Sequence, residues 1–499
     1  MSETIPTEFL KSNRAFLIAP AGYGKTYTIV SCVKRLLCEK PILILTHTHA
    51  GVAALKTKMS KQGVERDKYK IDTISSFIQR YVLSFFKQSE IGPQEDTGNY
   101  FPNVLDKSII LFQKPTIKRI FIESYSHLFV DEYQDCTKRQ HELIEIFATY
   151  IPTHLFGDPL QGIFDFEGNP SVKFPSDFEN FQTFYFLTTP YRWTVNGNSV
   201  ALGEKIKEYR ELLEEGDSVQ IESDIESNFE VVCHNPITPA NEQVVLYNQL
   251  HEKIKQLNTE SILVIMPSFF EERGLRGLIK ERADMLRRFD FEHQFNLVEA
   301  IDDRAYYQCA HNIDALINEV ATSSLSADYL KIRGRFEEIS FDSQSLNVWF
   351  NSSGLISKRN ADEKVFSDKL KLHCDSFFQE ASVQNFQKLL LFFYQSNRRN
   401  LKRPDLACQI LKSLEYAIEN NISVYDAMVI TKNHIRRNGR KIYGKCFGTT
   451  LLTKGLEFDA VILLYANKIE DKRNFYVAIS RACKNLIIFT ETKQLTFQR

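Results

Sequence analysis

The chain carries no CxxC pair, no apolar run long enough to span a membrane, no internal repeat and no surplus of basic over acidic residues. Its nine cysteines stand singly, at positions 32, 38, 136, 233, 309, 374, 408, 446 and 483. Such spacing supplies neither zinc nor iron–sulfur ligands, and an odd, irregular count suits reduced thiols in a cytosol. The opening MSETIPTEFLKSNR lacks the long apolar stretch of a secretory signal. A cytoplasmic protein with no membrane association is therefore expected. The 62 Lys and Arg residues are balanced by 63 Asp and Glu, for a formal net charge of -1. Nucleic-acid binders often show a basic excess. The balance still allows a narrow basic track, and it leaves room for a protein partner.

The remaining composition is that of an ordinary soluble protein, 43% hydrophobic and 25% charged over 499 residues. That length accommodates about two to four domains with their own cores. Short apolar runs at Ala15–Ala19, Pro41–Thr46, His127–Val130 and Thr153–Phe156 alternate with helical periodicity at Thr26–Cys38 and Ala50–Met59. This alternation predicts an α/β fold with a mainly parallel sheet covered by helices. A second sheet is expected from Phe229–Cys233, Ile262–Met266, Cys446–Thr450, Ala460–Tyr465 and Leu486–Thr490. A helix is expected over Glu271–Arg288, and residues 305–420 read as almost wholly helical. The turn-rich IGPQEDTGNYFPN marks a small insertion at 78–117. The resulting division is a first domain (1–77 and 118–200) with that insertion, and a second domain (201–304 and 421–499) split by the helical insertion 305–420.

The strongest local signal is AxxGxGKT, which spans Ala19, Pro20, Ala21, Gly22, Tyr23, Gly24, Lys25 and Thr26. It follows a strand and opens a helix, the setting of a phosphate-binding loop. Glycines there let backbone N–H groups turn toward phosphate oxygens, and the helix N-terminus favours an anion. Lys25 is placed to reach the β- and γ-phosphates, and the Thr26 hydroxyl to ligate Mg²⁺. Downstream, a strand runs into Asp131 and Glu132. These read either as an acidic surface turn or as a metal carboxylate followed by the base that activates water. LFGDPLQGIFDFEG then offers Gln161 as a γ-phosphate sensor. Phe164 and Phe166 after it read either as core or as bases' stacking partners. Arg192 and Arg481 are candidates to meet charge on a transferring phosphate; most arginines are simply solvated, and their positions alone do not distinguish the two cases.

In this order, AGYGKT, THTHAGVAAL, DTISSF, VDEYQD, GDPLQGIFDF, LTTPYRW, TTLLTKGLEFDAVIL and FYVAISRA resemble the motif series of UvrD/Rep/PcrA-like superfamily 1 DNA helicases. The motifs reach from residue 19 to residue 482, while the segment from Trp193 to Gly448 matches only loosely. The resemblance implies two RecA-like P-loop domains with ATP in the cleft between them and 3′-to-5′ movement on single-stranded DNA. It implies that Lys25 and Thr26 bind phosphate and metal, Asp131 binds metal, Glu132 activates water and Gln161 senses the γ-phosphate. Tyr191 would stack on adenine, Arg192 and Arg481 complete the site, and Glu457 contacts ribose. Thr48, Thr73 and Thr449 would touch the DNA backbone, and Phe166 would stack on a base.

Four features depart from that family. No glutamine precedes the phosphate loop in the adenine-reading position, which leaves purine specificity open. Leu451 stands where the family carries His, and Asp165 and Glu167 flank Phe166 where basic residues are usual. The sequence stops soon after the last motif, so no fused nuclease is expected. The basic run KNHIRRNGRKIYGK, with Asn438-Gly439 as its expected hairpin turn, reads equally as part of a DNA track or as a solvated hairpin. Three functions follow: an autonomous ATP-dependent helicase on single-stranded or forked DNA; a translocase that does not separate strands; or an ATPase regulating a partner. The last draws on a likeness to the small helicases of the Gabija anti-phage system, which work beside an OLD-family nuclease.

Overall fold

The computed structural model describes residues 5–92, 97–164, 170–194, 198–234, 242–266, 295–298, 304–322, 328–438 and 444–498. It divides into one compact unit of Met1–Leu278 with Asn438–Arg499, and another of Ile279–Arg437.

The first unit holds two parallel sheets. In the first, β1 (Arg14–Ile18), β2 (Ile42–Thr46), β3 (Tyr69–Thr73), β4 (Leu128–Val130), β5 (Thr153–Gly157) and β6 (Gln182–Phe184) lie in the order β3-β2-β4-β5-β1-β6. Every pairing is parallel. Parallel sheets are covered on both faces, so their strands read as continuous apolar runs rather than alternating ones. β1 shows this directly: Phe16 and Ile18 join a buried cluster with Phe77, Phe112 and Phe121, while Ala15 and Leu17 join another with Phe9, Ile29 and Val30. The helices Ile74–Phe85, Thr97–Phe112 and Pro115–Ser124 belong to the first of these clusters.

To the second sheet this unit gives β8 (Phe229–Cys233), β9 (Ile262–Ile265), β13 (Lys445–Gly448), β14 (Phe458–Leu463) and β15 (Ala482–Thr490), which follow one another in the order β13-β9-β14-β15-β8. These pairings are also parallel. A small antiparallel pair, β7 (Ser218–Gln220) with β16 (Gln494–Thr496), completes the unit. The expected α/β architecture of two RecA-like sheets is thus present.

The second unit is mainly helical. It contains the long helices Arg304–Thr322, Ala361–Gln379, Val383–Asn397 and Pro404–Asn420, a two-residue strand β10 (Asn296–Leu297) and a hairpin of β11 (Phe350–Asn351) with β12 (Gly354–Leu355). Its core joins Tyr306, Phe336, Phe377, Phe393, Leu414 and Met428.

Three local expectations need correction or fall outside the described residues. The turn-rich stretch before residue 103 is helical from Thr97, with Pro102 inside the helix, because Tyr100, Val104 and Phe112 are drawn into the first sheet's core. Packing there overrides the local preference of Gly, Asn and Pro. Lys432–Asn438 closes the helix Val424–Asn438 rather than forming a hairpin arm, and residues 439–443 are not described. The helix expected at Glu271–Arg288 lies outside the described residues. Among the described residues, no helix is long and apolar enough to cross a membrane.

Candidate nucleotide site

Ligands of open parallel sheets gather at the carboxyl ends of strands. Here the phosphate loop follows β1, the acidic motif follows β4 and the sensor segment follows β5, which lies between them. Gly22 and Gly24 adopt φ of +79° and +84°, a region that costs any other residue about 1–2 kcal/mol. Both also lie under the short helix Tyr191–Thr194. A Cβ on Gly22 would stand 2.7 Å from the Arg192 Cβ, and one on Gly24 3.2 Å from the Tyr191 ring. The Arg192 N–H donates to the Gly22 carbonyl at 3.0 Å. The loop and the YRW turn are therefore built as one piece. The helix Lys25–Arg35 starts at once from Gly24, its N-cap.

Lys25 is almost fully buried and its Nζ donates to Glu132 Oε2 at 2.7 Å. Burial alone would lower the ammonium's pKa, but Glu132 and then Asp131 hold it above the ordinary lysine value. Burial, with Glu132 beside it, pushes the Asp131 carboxyl up to about 6. Burial acts the same way on Glu132, yet Lys25 and then Lys454 pull that carboxyl down to about 2. Glu132 has φ of +55°, unusual outside glycine. Its carboxylate is steered by Gln134, whose Nε2 donates to Oε2 at 2.6 Å while its Oε1 accepts the Asp158 N–H at 2.9 Å.

The second sheet reaches the same place. Arg481, buried at the start of β15, donates from Nη2 to Gln161 Oε1 at 3.2 Å and from Nε to the Val477 carbonyl at 2.9 Å. Burial and the nearby Arg192 lower its pKa to about 10. Arg192 donates from Nη2 to Glu457 Oε1 at 2.8 Å and from Nη1 to the Ser480 carbonyl. Burial would raise the Glu457 carboxyl, but Arg192 holds it below the usual value. The Arg192 Nε is buried with no hydrogen-bond partner among the described residues. Lys454 bridges Asp135 and the Gln161 carbonyl, and its Nζ lies 4.9 Å from the Phe164 ring centre. The Tyr476 hydroxyl accepts the Ala21 N–H of the phosphate loop at 3.2 Å.

The structure thus brings Ala19–Thr26, Asp131, Glu132, Gln161, Arg192, Arg481 and Glu457 together at the ends of β1, β4 and β5, with Tyr191 against the loop. The set fits a nucleoside triphosphate: two glycines at positive φ, a helix N-terminus, a buried ammonium, a guanidinium N–H with no partner among the described residues, and an acidic pair. Thr26 and Asp131 have the oxygen chemistry that Mg²⁺ takes.

The expected DNA contacts sit elsewhere. Thr48, Thr73 and Thr449 are N-caps, their hydroxyls accepting from Gly51, Ser76 and Leu452 N–H groups. Thr48 is exposed, while Thr73 and Thr449 are buried. Phe166 lies outside the described residues. Sequence reasoning missed Gln134, Lys454, Tyr476 and the ion pair of Asp158 with Arg210. The first three stand inside recognised motifs, which was a usable signal. Arg210 sits in an unremarkable helix and gave none.

Comparison with known proteins follows the same lines. The AAA domain family matches residues 2–167, and the viral superfamily 1 RNA helicase core domain matches residues 356–490. The chain is 26% identical over 293 residues to Gabija protein GajB of Bacillus cereus (strain VD045), covering 50% of this chain and 55% of GajB. It is 23% identical over 148 residues to the exonuclease/helicase protein RexA of Lactococcus lactis subsp. cremoris (strain MG1363), covering 29% of this chain and 12% of RexA. Among solved structures, arterivirus nonstructural protein 10 (helicase) in complex with DNA aligns at 10% identity and a TM-score of 0.33, over 95% of this chain and 60% of that one. The match therefore spans about half the length of GajB and a small part of RexA.

Proposed function

We propose, for a chain that belongs to the superfamily 1 helicases, that ATP hydrolysis at this site drives movement along single-stranded DNA, in the 3′-to-5′ direction and with unwinding of forked duplexes. The observation that carries the reading is the hydrogen bond from Arg481 to Gln161, which joins the second sheet to the sensor of the first. Hydrolysis that needs groups from both sheets depends on how the cleft is closed. A nucleotide that binds the closed form better than the open one then moves the sheets against each other.

In this scheme Lys25 and the loop N–H groups bind the phosphates, and Arg192 and Arg481 meet the charge that develops on transfer. Mg²⁺, held by Thr26 and Asp131, would supply further neutralisation of phosphate charge. Glu132 orients and deprotonates the attacking water. Phosphates that draw Lys25 toward themselves free Glu132 from its ammonium partner and make it a stronger base, so arrival of substrate arms the catalyst. Tyr191 stacks on the base and Glu457 contacts the ribose. Thr48 and Phe166 contact DNA, Thr73 and Thr449, buried with their hydroxyls as helix caps, hold the turns that begin their helices, and residues 1–77 with 118–200 and 201–304 with 421–499 act as the two motor domains, carrying insertions at 78–117 and 305–420. The protein would work in the cytoplasm.

A second reading is favoured by the similarity to GajB: an ATPase that senses DNA within an anti-phage complex and controls a partner nuclease of the OLD family. ATP hydrolysis measured with and without single-stranded DNA, with Glu132→Gln as the blank, tests the motor, and unwinding of a forked duplex by the chain alone separates it from a DNA-sensing ATPase. Strong stimulation supports the motor. Activity indifferent to DNA overturns it and favours a protein partner that gates the ATPase.

A further inference from the structure

The helix Val200–Glu215 carries Arg210 in the run KEYRELLEE, where a solvated surface cation is the usual expectation. Instead Arg210 is 6% exposed, and its Nη1 donates to both carboxylate oxygens of Asp158 at 2.9 Å. Asp158 is completely buried just beyond β5. The other terminal nitrogen, Nη2, pairs with Glu214 at 2.8 Å, and the guanidinium carbon lies 5.1 Å from the Tyr476 ring centre.

Asp158 joins four groups of the site. Its Oδ2 accepts the Gln161 Nε2 at 2.8 Å, its Oδ1 accepts the Leu160 N–H at 3.3 Å, and its own N–H donates to the Gln134 that steers Glu132. A carboxylate only accepts hydrogen bonds. Asp158 therefore holds the Gln161 amide with its nitrogen inward, which leaves Oε1 facing Arg481. The Arg210 guanidinium also packs on the ring of Tyr476, whose hydroxyl takes the Ala21 N–H.

We propose that Arg210 is a positioning residue of the nucleotide site: through Asp158 it orients Gln161, so that the site distinguishes a nucleotide with a γ-phosphate from one without. The proposal deepens the ATPase reading and rests on it. A purely structural role is a poor account of the pair, because well-packed apolar residues stabilise a buried position at least as well as an ion pair does. An apolar pair could not fix which end of the Gln161 amide faces Arg481.

The test uses the full chain and four variants: Arg210→Lys, Arg210→Met, Gln161→Ala and the double Arg210→Met/Gln161→Ala. Binding of ATPγS and ADP is titrated by fluorescence, steady-state ATPase gives kcat and KM, and thermal melting reports folding. Arg210→Met is expected to lower the preference for ATPγS over ADP about tenfold and kcat about 100-fold, the cost of a misplaced catalytic group. ADP affinity should change little. Arg210→Lys keeps the buried charge but loses the guanidinium fork that spans Asp158 and Glu214, so it should melt near wild type and still lose discrimination. The double variant should be no worse than Gln161→Ala alone. Unchanged discrimination in a folded Arg210→Lys, or multiplicative losses in the double variant, would overturn the proposal. A wild-type chain that discriminates the two nucleotides but never turns over would instead sink the motor reading, since the binding ratio needs no hydrolysis.

Discussion

Lys25 and Glu132, 107 positions apart, share a hydrogen bond of 2.7 Å, so the group proposed to grip phosphate and the group proposed to activate water are each other's partners. Their separation by substitution should be asymmetric. Glu132→Gln is expected to cut kcat by about 10²–10⁴-fold, the usual worth of a general base, while nucleotide binding persists. Lys25→Ala should weaken nucleotide binding itself. Fluorescence titration beside steady-state turnover reads both. A Glu132→Gln protein that turns over normally would remove Glu132 from the reaction.

Lys454 and Asp135 form a pair with side chains only 7% and 5% exposed. Removing one charge from such a pair strands the other, at a cost of about 3–5 kcal/mol. Lys454→Met should therefore lower stability in urea by that order, and adding Asp135→Asn should recover a large part of the loss. A single variant within about 0.5 kcal/mol of wild type, typical of surface sites, would show the pair to be solvated.

Gly22→Ala tests the union of the phosphate loop with the YRW turn. The added methyl meets the Arg192 Cβ at 2.7 Å in a backbone conformation with φ of +79°. Both effects oppose the native loop, so nucleotide affinity should fall at least tenfold, with a stability loss of about 1–3 kcal/mol. Wild-type affinity in isothermal titration would mean that the loop can part from Arg192 freely.

Acid stability should carry the signature of two histidines. Burial lowers the pKa of both His47 and His154 from 6.5 to about 4. Unfolded, each takes up a proton near pH 6.5; folded, each resists until about pH 4. Their contribution is thus fully present above pH 6.5 and is lost as pH falls through that window toward 4, at about one proton per histidine. His154→Gln should reduce the slope of unfolding free energy against pH by about one proton between pH 6.5 and 4. An unchanged slope in urea melts across that range would show that His154 is protonated in the fold.

The parts legible in the sequence were those whose chemistry is contiguous. The phosphate loop and the acidic motif each pack a strand end and the working groups into a few residues, so Lys25, Asp131 and Glu132 stand out from the sequence alone. The buried strands β1, β2 and β5 were visible as apolar runs for the same reason. β3 and β6 were not: both are edge strands, and YKIDT and QTF carry polar residues that blur the pattern. The hairpin expected at Asn438 failed because local turn chemistry cannot tell whether an incoming segment is already helical. Arg210 was illegible because its meaning lies wholly in what it meets, an aspartate 52 positions away and a tyrosine ring on another helix.

β9 and β13 are hydrogen-bonded neighbours running in the same direction, Ile262 opposite Lys445 and Ile265 opposite Gly448. Parallel neighbours always need a crossover, for which a dozen or so residues suffice. In topological terms the whole helical unit, Ile279–Arg437, is that crossover grown to the size of a domain. β9 and β13 keep their register across a connection that carries a hydrophobic core of its own.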